Sequence, residues 1–93
     1  MPGRTVTAKV LALLGAFDAR HLRLSLTELA RGADLPLPTA HRLVRELESW
    51  QALSRMPDGR YEVGRRLWQV GLLAPLQVEL RQAALEASSG LTR

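Results

Sequence analysis

From Thr5 to Asp18 the apolar residues Val6, Val10, Leu13, Leu14 and Phe17 recur at i, i+4, i+7, i+8 and i+11. That spacing collects them on one face of a helix. The stretch "DARHLR" then breaks the period, and the "LSL" that follows it is long enough only for a stub of strand. Ser25 followed three places later by Glu28 is the S-x-x-E capping box, in which each side chain satisfies the other's free backbone N–H at a helix start. A second helix is therefore expected from Leu26 to about Arg31. Gly32 would end it, because glycine most easily takes the left-handed conformation after a helix.

A third helix follows the tight turn "GADLP". In "LPLPTAHRLVRELESW", residues 35–50, a helical wheel puts Ala40, Leu43, Val44, Leu47 and Trp50 on one side. His41, Arg42, Arg45 and Ser49 fall on the other, with Glu46 and Glu48 towards the flanks. The helix start lacks a Ser, Asp or Asn cap. Pro38 brings a backbone angle already set for the first helical position, which makes Leu37 the expected N-cap and the helix about 38–50. Since proline has no N–H, the missing cap leaves fewer donors unsatisfied.

Beyond the third helix, "LSRM" and "RYEV" flank Pro57, Asp58 and Gly59, and Asp-Gly is a strong tight-turn signal. A β-hairpin over residues 53–63 is expected, with Leu53, Tyr61 and Val63 on its buried side and Arg55 and Arg60 beside its turn. Residues 65–74 return to helical spacing through Leu67, Val70 or Gly71, and Ala74. Pro75 would open a further helix carrying Leu76, Leu80, Ala83 or Ala84, and Ala87.

Composition narrows the class. At 93 residues the chain has room for one small core and not for a deep enclosed active site. An aromatic share of 4% makes that core mostly Leu, Val and Ala, which suits helices. With no cysteine, disulfides and thiolate metal sites are excluded, and a reducing cytoplasmic setting is the simplest. His21 and His41 stand alone, so no zinc site and no cofactor is expected. The segment "VLALLGAF" is short for a signal-peptide core and Asp18 follows it at once; nothing approaches the ~18 apolar residues of a membrane span. Of the formal +4 charge, all lies in residues 1–66, with eleven basic against seven acidic residues; residues 67–93 carry two of each. Such a bias suits a polyanionic partner.

Helix, helix, tight turn, helix, β-hairpin is the order of a winged helix-turn-helix, whose third helix enters the DNA major groove by its early residues. The fold class expected is mainly α with a small β-hairpin: a winged helix-turn-helix over residues 1–74, then a linker helix from 75 to 93. A proline-led, exposed and basic first turn is what such a recognition helix requires.

The stretch "LSLTELARGADLPLPTAHRLVRELESWQALSRMPDGRYEVGRRLWQVG" resembles the DNA-binding domain of IclR-family bacterial transcriptional regulators. The "LTELA" run, the "LP" before the third helix, "T-x-H-R-L" within it and "Y-x-V-G-x-R-L" after the wing carry the likeness, and "KVLALLGAF" resembles the family's first helix. The resemblance implies a dimer on a near-palindromic operator, acting as a repressor, with a small-molecule effector bound only by a C-terminal domain whose start would lie near residue 93. Carried over by position, Thr39, His41 and Arg42 match the start of the recognition helix, and Arg55 and Arg60 lie in the wing. Where family members often have polar or basic residues, this chain has Leu37 and Pro38.

From chemistry, Thr39, His41 and Arg42 are the candidates for base edges, while Arg45, Arg55, Arg60 and Lys9 are candidates for phosphates. Trp68, Leu72, Leu73, Leu76 and Leu80 exceed what one small core needs and are the candidate dimerisation residues; the competing assignment packs Trp68 on the first helix of its own chain. A winged-helix module for protein contact is the alternative function. An enzyme is not expected, for no nucleophile, acid–base pair or paired carboxylates share a spacing that would do chemistry.

Overall fold

A computed structural model describes residues 4–75. Four helices and one hairpin follow in order: α1 (Val6–Leu14), α2 (Leu26–Ala33), α3 (Leu37–Ser49), β1 (Leu53–Arg55), β2 (Tyr61–Val63) and α4 (Arg65–Gly71). The expected winged helix-turn-helix is present. The helix expected from Pro75, with Leu76 and Leu80, falls outside the described residues. No helix among them is long and apolar enough to cross a membrane.

Helix α1 begins where the Thr5 hydroxyl accepts a hydrogen bond from the Ala8 N–H. It ends earlier than its apolar spacing suggests, at Leu14. Single i→i+3 bonds from Ala16 to Leu13 and from Phe17 to Leu14 carry the chain on, so Phe17 still reaches the core without being helical. Val6, on the first turn, is 54% exposed and departs from the one-faced reading.

Both halves of the capping box form at the start of α2: Glu28 N–H donates to Ser25 Oγ at 3.1 Å, and Ser25 N–H donates to Glu28 Oε1 at 2.8 Å. Its end differs from expectation. Gly32 lies inside the helix, 3.2 Å (from an ideal Cβ) from the Ala16 side chain, and Asp34 takes the left-handed conformation with φ 55°. Leu35 N–H then returns to the Ala30 carbonyl and Asp34 N–H to that of Arg31, which is the Schellman arrangement. Asp tolerates this backbone region better than most side chains, so glycine is free to serve the close approach to Ala16 instead.

Leu13, Leu29, Leu43, Leu53 and Val44 are fully buried, and Leu24, Ala30, Ala33, Ala40 and Tyr61 complete the core that α1, α2, α3 and the hairpin share. The expected apolar stripe of α3 is thus centred on Leu43 and Val44. Leu47 is half-buried, and Trp50, at 42% exposure, lies outside the core with the Arg66 guanidinium 4.3 Å above its ring.

In the hairpin Leu53 pairs with Val63, Ser54 with Glu62 and Arg55 with Tyr61. Leu53 and Tyr61 are buried, whereas Val63, at the open end of the ribbon, is 43% exposed, contrary to its expected place in the core. The turn runs through Pro57 and Asp58 to Gly59 at φ 90°. Leu24 exchanges two backbone hydrogen bonds with Tyr61, so the "LSL" stub joins the wing through a single antiparallel bridge. Gly64 locks the far end: an added Cβ would stand 2.2 Å from the Gln51 carbonyl oxygen, so only glycine lets the wing's exit cross the end of α3.

Candidate nucleic-acid interface

Pro36, with an extended ψ of 145°, is the N-cap residue of α3, and its carbonyl accepts the Ala40 N–H at 3.0 Å. Leu37 therefore occupies the first helical position and Pro38 the second, one residue earlier than the sequence suggests. The steric preference of a residue before proline gives way to the first-turn hydrogen bond. Of the four N–H groups that a helix start leaves unpaired, two are abolished by Pro36 and Pro38; only those of Leu37 and Thr39 remain. No side chain caps them, and the first turn holds no acidic residue.

The opposite faces of α3 have opposite fates. Ala40, Leu43 and Val44 are sealed in the core. His41, Arg42 and Arg45 are exposed, and Thr39 is half-buried between the two faces. Among the described residues, none of His41, Arg42, Arg45 and Arg55 has a side-chain hydrogen bond or an ion pair. Arg42 and Arg45 are like charges at i, i+3, an arrangement that costs a helix a few tenths of a kcal/mol. Glu46 stands four residues after Arg42 yet forms no bridge with it. Cations kept adjacent and unpaired are a poor choice for stability and a good one for a polyanion.

At the wing tip Arg60 is held. Asp58 accepts its backbone N–H and its Nε, both at 2.9 Å. These two hydrogen bonds hold the Asp58 carboxyl below the usual carboxylate range. Among the described residues only Nε is taken, so the terminal nitrogens of Arg60 stay open there. Arg55, across the ribbon, is exposed. Arg23, which no motif singled out, reaches the wing through Glu62 at 3.5 Å. The pair joins segments far apart in the chain, beside the Leu24–Tyr61 bridge that holds them together. Arg4 donates to the Asp34 carbonyl, which ties the chain's start to the turn between α2 and α3. Lys9 is half-buried on α1 and makes no side-chain hydrogen bond or ion pair among the described residues.

The candidate dimerisation residues lie apart from these. Helix α4 buries none of its residues and meets the body chiefly through β1. Trp68 is 60% exposed and Leu73 82%, with Leu72 half-buried. Trp68 is therefore not part of the core of the described residues. Leu76 and Leu80 fall outside the described residues.

The chain is similar to known proteins over most of its length. The IclR helix-turn-helix domain matches residues 6–57. An IclR homolog from Microbacterium hydrocarbonoxydans, solved in complex with 4-hydroxybenzoate, superposes with a TM-score of 0.79 at 34% identity, over 88% of this chain and 34% of that one. An IclR homolog from Microbacterium sp. strain HM58-2 gives 0.75 at 34% identity, over 89% and 35%. An IclR-family transcriptional regulator from Brucella abortus gives 0.68 at 27%, over 75% and 27%. The chain thus spans about a third of the length of the first two. Among curated protein sequences none matches.

Proposed function

The chain belongs to the IclR family of transcriptional regulators, and from that premise we propose that it binds double-stranded DNA sequence-specifically, with α3 in the major groove and the wing on the backbone. The observation that carries this reading is the α3 surface: exposed His41, Arg42 and Arg45 without partners among the described residues, on a helix whose other face is locked in the core. A rigid platform presenting unpaired donors is what base-edge recognition needs.

In this reading Thr39, His41 and Arg42 contact bases, Arg42 donating to guanine N7 or O6 and Thr39 setting its methyl on thymine. Arg45, Arg55, Arg60 and Lys9 contact phosphates and supply affinity with little sequence information. Asp58 then acts as a positioning residue that turns the free end of Arg60 outward. Two copies joined through Trp68, Leu72 and Leu73, with the residues that follow, would set their recognition helices about one DNA turn, ~34 Å, apart and match a near-palindrome. Repression follows if such a site overlaps a promoter. An effector acts, in this proposal, outside residues 4–75, whose recesses are shallow and open.

Fluorescence anisotropy on labelled intergenic duplexes of the source genome, at two salt concentrations and with random duplex as competitor, tests the reading. Binding that resists competitor and weakens with salt is expected. Absence of binding at low salt would transfer the fold to a protein-contact role. Sedimentation equilibrium tests the dimer: Trp68→Ala should shift the chain towards monomer.

A further inference from the structure

The start of α3 carries a feature that hydrogen bonding does not use. Leu37, 48% exposed, and the exposed Pro38 form a small apolar ledge, with Leu26 of α2 and His41 closing the recess beside it. The ledge lies on the first turn of the helix whose exposed face carries Arg42 and Arg45. First turns usually expose polar side chains and free N–H groups, which suit phosphate. Here two of the four N–H groups are missing and the exposed side chains are aliphatic.

We propose that Leu37 and Pro38, backed by Leu26, read the 5-methyl group of thymine in the major groove and so fix a thymine under the start of α3. This inference rests on the duplex-binding reading above. The argument for the occupant is chemical. The flanking arginines draw the ledge onto a polyanion, and the largest apolar group that base edges present in a major groove, among their donors and acceptors, is the thymine methyl. An apolar side chain pressed onto any other edge leaves donors or acceptors unpaired, which penalises the alternatives. The recess against His41 would place this contact beside the base-edge contact proposed for that residue.

The test needs a bound sequence and a change confined to the methyl. Duplexes are selected from a random pool with the full chain, and each thymine of the selected site is then replaced singly by deoxyuridine. The expected result is one or two positions per half-site where the loss of the methyl weakens binding about four-fold, the effect of exposing one buried methyl-sized group. In Leu37→Lys, whose melting temperature should match the parent because Leu37 is at the surface, that sensitivity disappears while salt dependence persists. Selective binding with no uridine-sensitive position, or with the same sensitivity in Leu37→Lys, overturns the inference and leaves duplex recognition standing. Failure to select any duplex over the random pool overturns both. Loss of self-association in Leu37→Lys with an unchanged uridine profile would assign the ledge to a second copy of the chain, and overturns it as well.

Discussion

Two helices of one motif begin in opposite ways. At the start of α2, Ser25 and Glu28 satisfy each other's backbone donors and the chain closes on itself. At the start of α3, two prolines remove donors, no side chain caps those that remain, and Leu37, Pro38, His41 and Arg42 are turned to solvent. Both helices rest on the same core, so the difference does not come from packing. A helix that serves only the fold finishes its own hydrogen bonding, whereas one that serves a partner leaves its first turn bare and draws its stability from the face behind it.

The largest effect should come from the support that both helices share. Leu43 is fully buried, and Leu43→Ala should lower unfolding free energy by about 2–5 kcal/mol, read from urea denaturation. DNA binding would then fall in proportion to the folded fraction. Arg42→Ala addresses the α3 start alone: about 1–3 kcal/mol of affinity for the selected site should be lost, with specificity relaxed at one base pair and the urea midpoint unchanged. A shift in that midpoint would return Arg42 to a structural role.

Ser25→Ala is the converse. It should cost about 1 kcal/mol of stability through the α2 cap while leaving the salt slope and base preferences of the folded protein unaltered. The smallest effect is in pH. Hydrogen bonds from the Ser25 backbone and side chain hold the Glu28 carboxyl below its ordinary value. The folded state therefore favours the ionised form. That contribution is present above the unfolded carboxylate value of about 4.3 and is lost as pH falls through the lower native value. Asp18 and Asp58 act in the same direction, so a difference isolates the cap. Between pH 5 and pH 3 the urea midpoint of Glu28→Gln should fall less than that of the parent chain.

What could be read in advance was what neighbours in sequence decide. The capping box and the Pro57–Gly59 turn each depend on residues a few places apart and formed as read, and the amphipathic period of α3 held through Ala40, Leu43 and Val44. The misreadings have a common origin in contacts between distant segments. Gly32 was assigned to a helix end, but Ala16, just after α1, closes on the place its side chain would take, and Asp34 makes the turn. Trp50 had the spacing of a core residue, yet the end of α3 turns it outward under Arg66. Val63 alternates correctly and is still left partly exposed at the end of the ribbon.

The candidate site divides the same way. Periodicity alone located His41, Arg42 and Arg45 on the exposed face of α3, because the opposite face had to be buried. No pattern in the sequence could tell that Arg60 is oriented by Asp58 while Arg42 and Arg45 stand free, or that Arg23 joins the wing through Glu62. Nor could it separate Trp68 as a core residue from Trp68 as a surface one. Local spacing determines which helices and turns form and which face each must bury, since backbone hydrogen bonding and side-chain period act over a single turn. Which glycine is spent on packing, which cation is left unpaired and which apolar residue is left uncovered were decided only when segments distant in the chain packed together, because those outcomes depend on what stands opposite.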